Sequence, residues 1–336
     1  MAKYFFAETS IRGLPEAQLL SARYPEMRWI DDYQAFRFES MHREKECVIF
    51  ARKRGPWMKP FHCYHQSTQY SYFSMDVAEG CPFDCVYCYL QTYLNHGALV
   101  LFVNQEDLFT ELQQVKNSKP WISTGLLSDS LLSESYFPLL PQLSHAIPDG
   151  AILELRSKSD QVRSLNSDEI ERRNIVISWS LNPEQIAERY EFRASPLKNR
   201  LEAARLAIEW GYRIGFHFDP IFYFQNWKEA YRNLIDQVFA FSTDRIAFIS
   251  IGLFRYMPDL GRTIRNRFPM HPILSEEFFL DIDGKYHYFR PIRKQMYRVF
   301  SEWFKEWQDK GIPIFWSMEP DSSFVAPAGR DALYST

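Results

Sequence analysis

Residues 80–91 read GCPFDCVYCYLQ, and this stretch organises the chain. It holds three of the chain's five cysteines, Cys81, Cys85 and Cys88, in the spacing Cys-x3-Cys-x2-Cys. Three thiolates on one short loop can bind three irons of a [4Fe–4S] cluster and leave the fourth iron without a protein ligand. The spacing therefore predicts a cluster with one open coordination position.

Two other uses of these cysteines remain open. A structural zinc site needs four closed ligands, and Cys63 or His96 could supply the fourth. A disulfide is disfavoured because the chain opens without a secretory signal peptide and its other cysteines are scattered. Free thiols and an oxygen-sensitive cluster both indicate a cytoplasmic protein.

The cysteine spacing resembles that of the radical S-adenosylmethionine (SAM) superfamily. Tyr87 stands between the second and third cysteines, where that superfamily places an aromatic residue beside the adenine. The resemblance implies that the open iron binds the amino and carboxylate groups of SAM. It also implies that an electron from the cluster cleaves SAM to a 5′-deoxyadenosyl radical, while the protein supplies position and shielding.

A closer resemblance covers roughly residues 45–300. Residues 80–104, GCPFDCVYCYLQTYLNHGALVLFVN, resemble the cluster loop and following segment of the spore photoproduct lyase family. Residues 178–235 resemble a second block of that family, with its Ser-x-Asn strand, Ser-Pro turn, helix and Trp-x-x-x-Tyr helix. The resemblance implies a lyase that reverses a methylene-bridged thymine dimer in DNA.

The same resemblance assigns roles to residues outside the cysteine loop. It implies that Lys158 and Ser180 bind the carboxylate of SAM, and that Ser128 and Asp129 lie near its amino group. A lysine ammonium and a serine hydroxyl are chemically suited to a carboxylate. Asp219 falls beside the adenosine, where the family usually has alanine. A carboxylate there could bond a ribose hydroxyl or a substrate donor.

The chain departs from the family at the hydrogen-atom donor. The family uses a cysteine after the second strand, and Leu126 stands at about that position here. Tyr87 and Tyr89 match the tyrosine pair that passes the radical onward. Either Cys63 or a tyrosine substitutes for the donor, or the reaction needs no such donor and the substrate differs.

The composition is that of an ordinary globular protein. The 336 residues are 46% hydrophobic and 24% charged, with a formal net charge of −3. Any nucleic-acid contact must therefore come from a local patch. No apolar run reaches the length of a membrane span, and we expect a monomer.

Strands alternate with helices from residue 70 onward, which predicts a parallel sheet with right-handed crossovers. Six such units are too few to close an eight-stranded barrel. We therefore predict an α/β fold, a partial (β/α)6 TIM-type barrel with an N-terminal addition and a C-terminal hairpin and helix. The predicted boundaries are residues 1–65, 66–260 and 261–336. The predicted barrel strands are residues 70–77, 121–127, 151–157, 175–181, 213–219 and 245–253.

The clearest helix spans residues 196–210. Ser195 is its predicted N-cap, Pro196 takes the first helical position and Gly211 follows the last turn. A final helix is predicted at residues 292–310, followed by a short strand at residues 314–316.

Ligands of such barrels lie at the C-terminal ends of the strands. This rule selects Ser128 with Asp129, Lys158, Ser180 with Asn182, and His217 with Asp219. Each residue alone could instead be a solvated charge, a turn former or a loop cap. Together they are expected to surround the mouth of the barrel, which is the opening at the C-terminal ends of its strands, beside the cysteine loop.

Residues 281–290 predict a hairpin with an Asp-Gly turn. Tyr286 and Tyr288 alternate there with Lys285 and Arg290, a pattern that suits stacking on bases and pairing with phosphates. The family resemblance implies a DNA-opening hairpin in this region. An ordinary edge hairpin with solvated charges is the alternative interpretation.

The predicted function is that of a radical SAM enzyme, with a [4Fe–4S] cluster and SAM, acting on a thymine lesion in DNA. The resemblance implies an external electron donor such as flavodoxin or ferredoxin. One alternative is a radical SAM enzyme acting on RNA or a protein side chain. Another is a non-catalytic, metal-stabilised module that binds nucleic acid.

Overall fold

The computed structural model describes residues 2–61 and 71–318, with the side chains of residues 116–118 excepted. Cys63, the predicted substitute donor, lies outside the described residues. Within them, no helix combines the length and the apolar character needed to cross a membrane.

The described residues form eighteen strands in four sheets. In chain order the strands are β1 Tyr4–Glu8, β2 Arg28–Ile30, β3 Cys47–Ala51, β4 Met58–Pro60, β5 Ser71–Met75, β6 Ala78–Glu79, β7 Asp84–Cys85, β8 Leu99–Phe102, β9 Pro120–Ser123, β10 Ile152–Ser157, β11 Ile175–Ser180, β12 Glu191–Phe192, β13 Arg213–Ile221, β14 Ile246–Leu253, β15 Arg255–Tyr256, β16 Phe278–Leu280, β17 Tyr286–Tyr288 and β18 Ile314–Trp316.

Helices connect most of the parallel strands. The α-helices are α1 Pro15–Arg23, α2 Met41–Glu44, α3 Leu90–Tyr93, α4 Gln105–Leu112, α5 Ser130–Tyr136, α6 Leu140–Ala146, α7 Glu184–Tyr190, α8 Leu197–Glu209, α9 Trp227–Phe239, α10 Pro258–Arg267 and α11 Arg290–Asp309. Short 3-10 helices lie at Thr9–Ile11, Gln113–Ser118, Arg163–Leu165, Thr243–Arg245 and Pro272–Leu274.

The largest sheet has the strand order β18-β14-β13-β11-β10-β9-β5-β4. Every neighbouring pair from β5 to β18 is parallel, and β4 adds an antiparallel edge. The sheet curls into a half-barrel, so the predicted partial barrel is confirmed. All the predicted barrel strands are present, and β18 joins them as a further parallel strand beside β14.

Three smaller sheets complete the fold. The order β2-β1-β3-β8-β6 makes an N-terminal sheet. β7 pairs with β12, and β15, β17 and β16 form an antiparallel sheet that contains the predicted hairpin. Ile49 and Val100 of the N-terminal sheet share one hydrophobic cluster with Ile122 of the half-barrel.

Two local predictions are wrong. Pro196, not Ser195, is the N-cap of α8, and Ser195 Oγ instead accepts a hydrogen bond from the Asp160 backbone N–H at 3.0 Å. The strand predicted at residues 121–127 ends at Ser123, because the chain then crosses the end of β10. A Cβ on Gly125 would lie 2.5 Å from Arg156 Cβ, so the crossing requires glycine.

The two faces of the half-barrel differ in chemistry. Alternate residues such as Leu153, Ile177 and Phe216 are buried in the main hydrophobic cluster. The residues between them line the inner face and become polar toward the strand ends. This polar inner set comprises Ser123, Glu154, Arg156, Lys158, Ser178, Ser180, His217, Asp219 and Ser250.

Candidate active site

The cysteine loop runs from β6 to α3 at one end of the half-barrel. Gly80 begins the loop with φ +80°, and a Cβ there would lie 1.9 Å from the Ala98 carbonyl oxygen. Both the left-handed backbone and the close approach require glycine. The loop therefore enters the site along a path that no other residue allows.

Buried polar contacts fix the loop. The Lys45 ammonium donates to the carbonyls of Cys81 and Phe83 at 2.9 and 2.7 Å. Arg267 Nη2 donates to both oxygens of Asp84, at 2.9 and 3.1 Å. The Gln91 amide donates to the Cys85 and Val86 carbonyls at 2.9 and 3.0 Å. These bonds hold the backbone that carries the cysteines.

The three cysteine thiols interact electrostatically with one another. Burial raises the pKa of Cys81 to about 12 and raises the pKa of Cys85 well above its usual value. The ammonium of Lys45 acts against this at Cys81, and that of Lys158 at Cys85. Across residues 2–61 and 71–318, no three His, Cys, Asp or Glu side chains are arranged to hold a single metal ion. A cubane needs a different arrangement, because each thiolate binds a separate iron.

Tyr87 lies in a buried ion-pair network. Its hydroxyl donates to Glu191 Oε1, and Asn182 Nδ2 donates to the same oxygen at 3.0 Å. Glu191 Oε2 lies 2.6 Å from Arg200 Nη2. Burial would raise the pKa of Glu191, but Arg200 and Lys158 lower it overall. Burial and the Glu191 charge raise the pKa of Tyr87, so the phenol stays protonated.

Among the described residues, the Lys158 ammonium and the Ser128 hydroxyl have no hydrogen-bond or ion-pair partner. Lys158 Nζ lies 5.6 Å from the centroid of the Tyr87 ring, and no carboxylate of the described chain is within ion-pair distance of it. The Ser128 hydroxyl is buried and has no hydrogen-bond partner among the described residues. A free ammonium and an orphaned hydroxyl fit the carboxylate and amino groups of SAM.

Asp129 and Ser180 both make hydrogen bonds to neighbouring residues of the site. Asp129 is the N-cap of α5, and its carboxylate also accepts from Ser157 Oγ at 2.8 Å and from the Lys158 backbone N–H at 2.7 Å. Ser180 is buried, and its carbonyl accepts from Arg200 Nη1 at 3.0 Å. Asp129 thus fixes the start of α5 against the end of β10.

Tyr89 contacts the position at which the family resemblance expects a cysteine. Its hydroxyl donates to the Leu126 carbonyl, and its ring is 6.1 Å from that of Tyr93. The second tyrosine of the predicted relay therefore adjoins Leu126.

A buried polar network centred on Glu154 forms the floor of the mouth. Glu154 Oε1 accepts from Ser178 Oγ at 2.7 Å and from His217 Nε2 at 2.8 Å. Trp121 Nε1 donates to Glu154 Oε2 at 3.0 Å, and Arg156 Nε lies 3.4 Å from Oε1. Burial would raise the pKa of Glu154, but Arg156 and His217 lower it, so the carboxylate is ionised.

Asp219 pairs with an arginine. Its two oxygens accept from Arg255 Nη1 and Nη2 at 3.1 and 3.4 Å. Burial would raise the pKa of Asp219, but Arg255 lowers it overall. Arg255 lies on β15, so this pair joins β13 of the half-barrel to the hairpin sheet.

The predicted hairpin residues differ in exposure. Tyr288 is buried, and its hydroxyl accepts from the Tyr223 backbone N–H at 3.1 Å. Tyr286 stacks on Tyr256 with centroids 5.1 Å apart, and Lys285 Nζ lies 3.3 Å from Asp283. Arg290 is exposed at the start of α11. The exposed apolar residues of the hairpin and its base are Phe279, Leu280, Ile282 and Phe289.

Sequence reasoning did not select Glu154, Arg156, Glu191, Arg200 or Arg255. Glu154 and Arg156 were accessible in principle, since with Lys158 they alternate along one strand and must share a face. The pairs that Glu191 and Arg255 make join separate elements, and no local pattern indicates them.

A family model for spore photoproduct lyase matches residues 58–298. The chain belongs to the spore photoproduct lyase family. The spore photoproduct lyase of Clostridium acetobutylicum is 26% identical over 169 residues, which cover 48% of this chain and 50% of that protein. The chain thus spans about half the length of the curated relatives it matches.

Solved structures of spore photoproduct lyase share the fold. The enzyme complexed with dinucleoside spore photoproduct superposes with a TM-score of 0.81 at 20% identity, covering 94% of this chain and 99% of that one. A mutant with bound AdoMet and dinucleoside spore photoproduct gives a TM-score of 0.79 at 19% identity, covering 94% and 98%. The likeness extends over nearly the whole of both chains.

Proposed function

We propose that this chain is a radical SAM lyase that repairs or modifies a thymine-type lesion in DNA. One observation carries the proposal: three cysteines, Tyr87 and the Lys158 ammonium lie together at one end of a half-barrel, and no carboxylate among the described residues pairs with that ammonium. Membership of the spore photoproduct lyase family supports the same reaction class.

In this proposal Cys81, Cys85 and Cys88 hold a [4Fe–4S] cluster. Lys158, Ser180 and Ser128 hold SAM, with Asp129 fixing the backbone around them. When bound, these cofactors supply a 5′-deoxyadenosyl radical.

The remaining roles fall to side chains of this chain. Glu191 and Arg200 hold the Tyr87 hydroxyl, which orients its ring under Lys158. Phe222 packs against Tyr87 with centroids 5.4 Å apart and excludes water from that side. Tyr89 donates to the Leu126 carbonyl and so adjoins the position of the missing donor.

We propose that the hairpin contacts DNA through its exposed residues. Ile282, at 93% exposure, is the most exposed apolar residue of this hairpin. Leu280 and Phe279 lie beside it on β16, and apolar side chains of this kind can wedge between base steps. In this proposal Lys285 and Arg290 contact phosphates, and Tyr286 and Tyr288 support the hairpin through their ring contacts.

The reaction needs an external one-electron donor, for which flavodoxin or ferredoxin is the proposed class. We propose that the enzyme works as a cytoplasmic monomer.

Anaerobic incubation of the reconstituted protein with SAM, dithionite and DNA bearing a defined spore photoproduct tests the function. The expected result is cleavage of SAM with conversion of the lesion to two thymines, read by mass analysis. SAM cleavage without any change in the DNA would contradict the lesion substrate but not the radical SAM reaction.

Leu126 favours a second candidate, a related enzyme with a different substrate such as RNA or a protein side chain. If the substrate is a thymine dimer, Cys63 is the proposed donor, because a thiol S–H bond is weaker than a leucine C–H bond. Cys63→Ala should then give aberrant adducts, and Leu126→Cys in that background should restore clean product beside Tyr89. Clean multiple turnover by Cys63→Ala would contradict the role of Cys63.

A further inference from the structure

The Arg156 side chain extends from β10 into the mouth of the half-barrel. Only one edge of its guanidinium group is held by a hydrogen bond. Its Nε lies 3.4 Å from Glu154 Oε1. Among the described residues, its Nη1 and Nη2 atoms have no hydrogen-bond or ion-pair partner. The two parallel N–H groups at the end of the guanidinium are therefore available to a ligand.

The Arg156 guanidinium lies between the Glu154 network, which is the floor, and the mouth of the half-barrel. At the floor it interacts electrostatically with Glu154 and His217. Toward the mouth it interacts with Tyr89 and Asp219. Arg156 Cβ lies 2.5 Å from the position that a Cβ on Gly125 would take, one residue before Leu126.

Fold stability alone gives little reason for this network. A buried ion pair is often no more stabilising than apolar side chains of similar volume. Both carboxylate oxygens of Glu154 nevertheless accept hydrogen bonds from neighbouring side chains. Glu154 contacts Arg156 only at Nε, which leaves the Nη1 and Nη2 groups, the two arms of the guanidinium fork, free. This arrangement preorganises the fork for a bidentate contact.

We propose that Arg156 is a substrate-binding residue whose Nη groups donate to a pair of oxygens on the nucleic-acid substrate, and that Glu154 positions it. The inference rests on the proposed function. The oxygens belong either to the carbonyl edges of the damaged pyrimidines or to the phosphate that links them, since both accept bidentate donation from a guanidinium.

Binding measurements on the reconstituted full chain with SAM test this role without requiring turnover. The probes are dinucleoside spore photoproduct and the corresponding dinucleotide with its phosphate, titrated anaerobically by tryptophan fluorescence. Arg156→Gln should weaken binding about 10- to 100-fold, the loss expected for a charge-assisted contact, while SAM affinity stays unchanged. Arg156→Lys should restore only part of the affinity, because an ammonium cannot donate as a fork.

Each outcome decides one question. An equal loss for both probes assigns the contact to base carbonyls, and a loss confined to the dinucleotide assigns it to the phosphate. Unchanged affinity for both probes in Arg156→Gln would overturn the inference. Wild type that binds SAM but neither probe would overturn the proposed substrate, and the inference with it.

Two further variants guard against a folding artefact. Arg205→Gln removes an exposed arginine of α8, which pairs with Glu202 at 3.3 Å, and should bind both probes as wild type does. If Arg156→Gln fails to fold, Glu154→Gln/Arg156→Gln removes both charges of the pair together. That double variant should show the same loss of probe binding, and wild-type affinity in it would contradict the inference.

Discussion

Two carboxylate–guanidinium pairs brace the mouth of the half-barrel, and they differ in burial. Glu191 and Arg200 lie 2.6 Å apart with side chains 0% and 1% exposed. Asp219 and Arg255 lie 3.1 Å apart with side chains 19% and 15% exposed. Water can partly replace a lost partner in the second pair but not in the first.

The two pairs also connect different parts of the molecule. Glu191 and Arg200 support Tyr87 and hence the cofactor side, by which we mean the cysteine loop with Lys158. Asp219 and Arg255 join the half-barrel to the hairpin side, the sheet of β15, β17 and β16. We infer that the cofactor side is the more rigid of the two.

The largest expected effect is at the cysteine loop itself. Replacing Cys81, Cys85 or Cys88 with alanine should abolish SAM cleavage and remove most of the iron, because each thiolate is a proposed ligand of a separate iron. Iron and sulfide analysis with the visible absorption spectrum measures this. Cys47→Ala is the matched control, since Cys47 is a buried thiol of β3 and should keep its iron. Full iron content in all three loop variants would refute the cluster assignment.

The second effect tests whether the cofactor side depends on its buried pair. Glu191→Ala leaves the Arg200 guanidinium buried without its carboxylate, which should lower the free energy of unfolding by about 3–5 kcal/mol. Denaturant unfolding of the apoprotein measures the change. Glu191→Leu/Arg200→Leu removes both charges and should recover much of the loss. A single variant as stable as wild type would mean that the two sides do not differ as we infer.

The cofactor side was also the more predictable side. Cys81, Cys85 and Cys88 lie in one contiguous motif, and the positions of Lys158 and Ser180 follow from the rule that sites form at strand ends. The hairpin side depends on contacts between distant segments, as when Arg255 of β15 reaches Asp219 of β13. No periodicity in the sequence records such a pair.

The fold shows the same division between local and long-range information. The predicted barrel strands are present because their apolar runs are strong local patterns. Strands β1 and β2 of the N-terminal sheet were missed because their pairing with strands distant in sequence decides that they form. Tyr288 shows the limit for single side chains, since alternation in a hairpin cannot tell which face another element will cover.

A smaller effect is expected at the proposed SAM contacts. Lys158→Ala and Ser180→Ala should each weaken SAM binding about 10- to 100-fold, or roughly 1.5–3 kcal/mol, because each loses a charge-assisted hydrogen bond. Equilibrium binding of SAM to the reconstituted protein measures this, with iron content as the check that the cluster is intact. Lys198→Ala, on the exposed surface of α8, is the control. If both site variants bind SAM like the control, neither residue belongs to the SAM site.

The smallest effect concerns the more exposed pair. Asp219→Asn removes the charge that Arg255 stabilises, and should lower the free energy of unfolding by about 1–2 kcal/mol at neutral pH. Arg255 lowers the pKa of Asp219 in the folded state below that of the unfolded chain, despite burial. The contribution of Asp219 is therefore fully present above the unfolded pKa of about 3.9, and it is lost as the pH falls through the folded pKa.

The difference in stability between wild type and Asp219→Asn should accordingly shrink on acidification, because protonated aspartic acid and asparagine are both uncharged. Denaturant unfolding of the two proteins from pH 7 down to the lowest pH at which wild type folds measures this trend. Asp259→Asn is the control, since Asp259 is 75% exposed on α10 and its surface pair with Arg262 should contribute little at any pH. A pH-independent difference for Asp219→Asn would mean that packing beside Gly252, where a Cβ would lie 2.8 Å from the Asp219 carboxylate, outweighs the charge. The hairpin side would then be held by shape rather than by its ion pair.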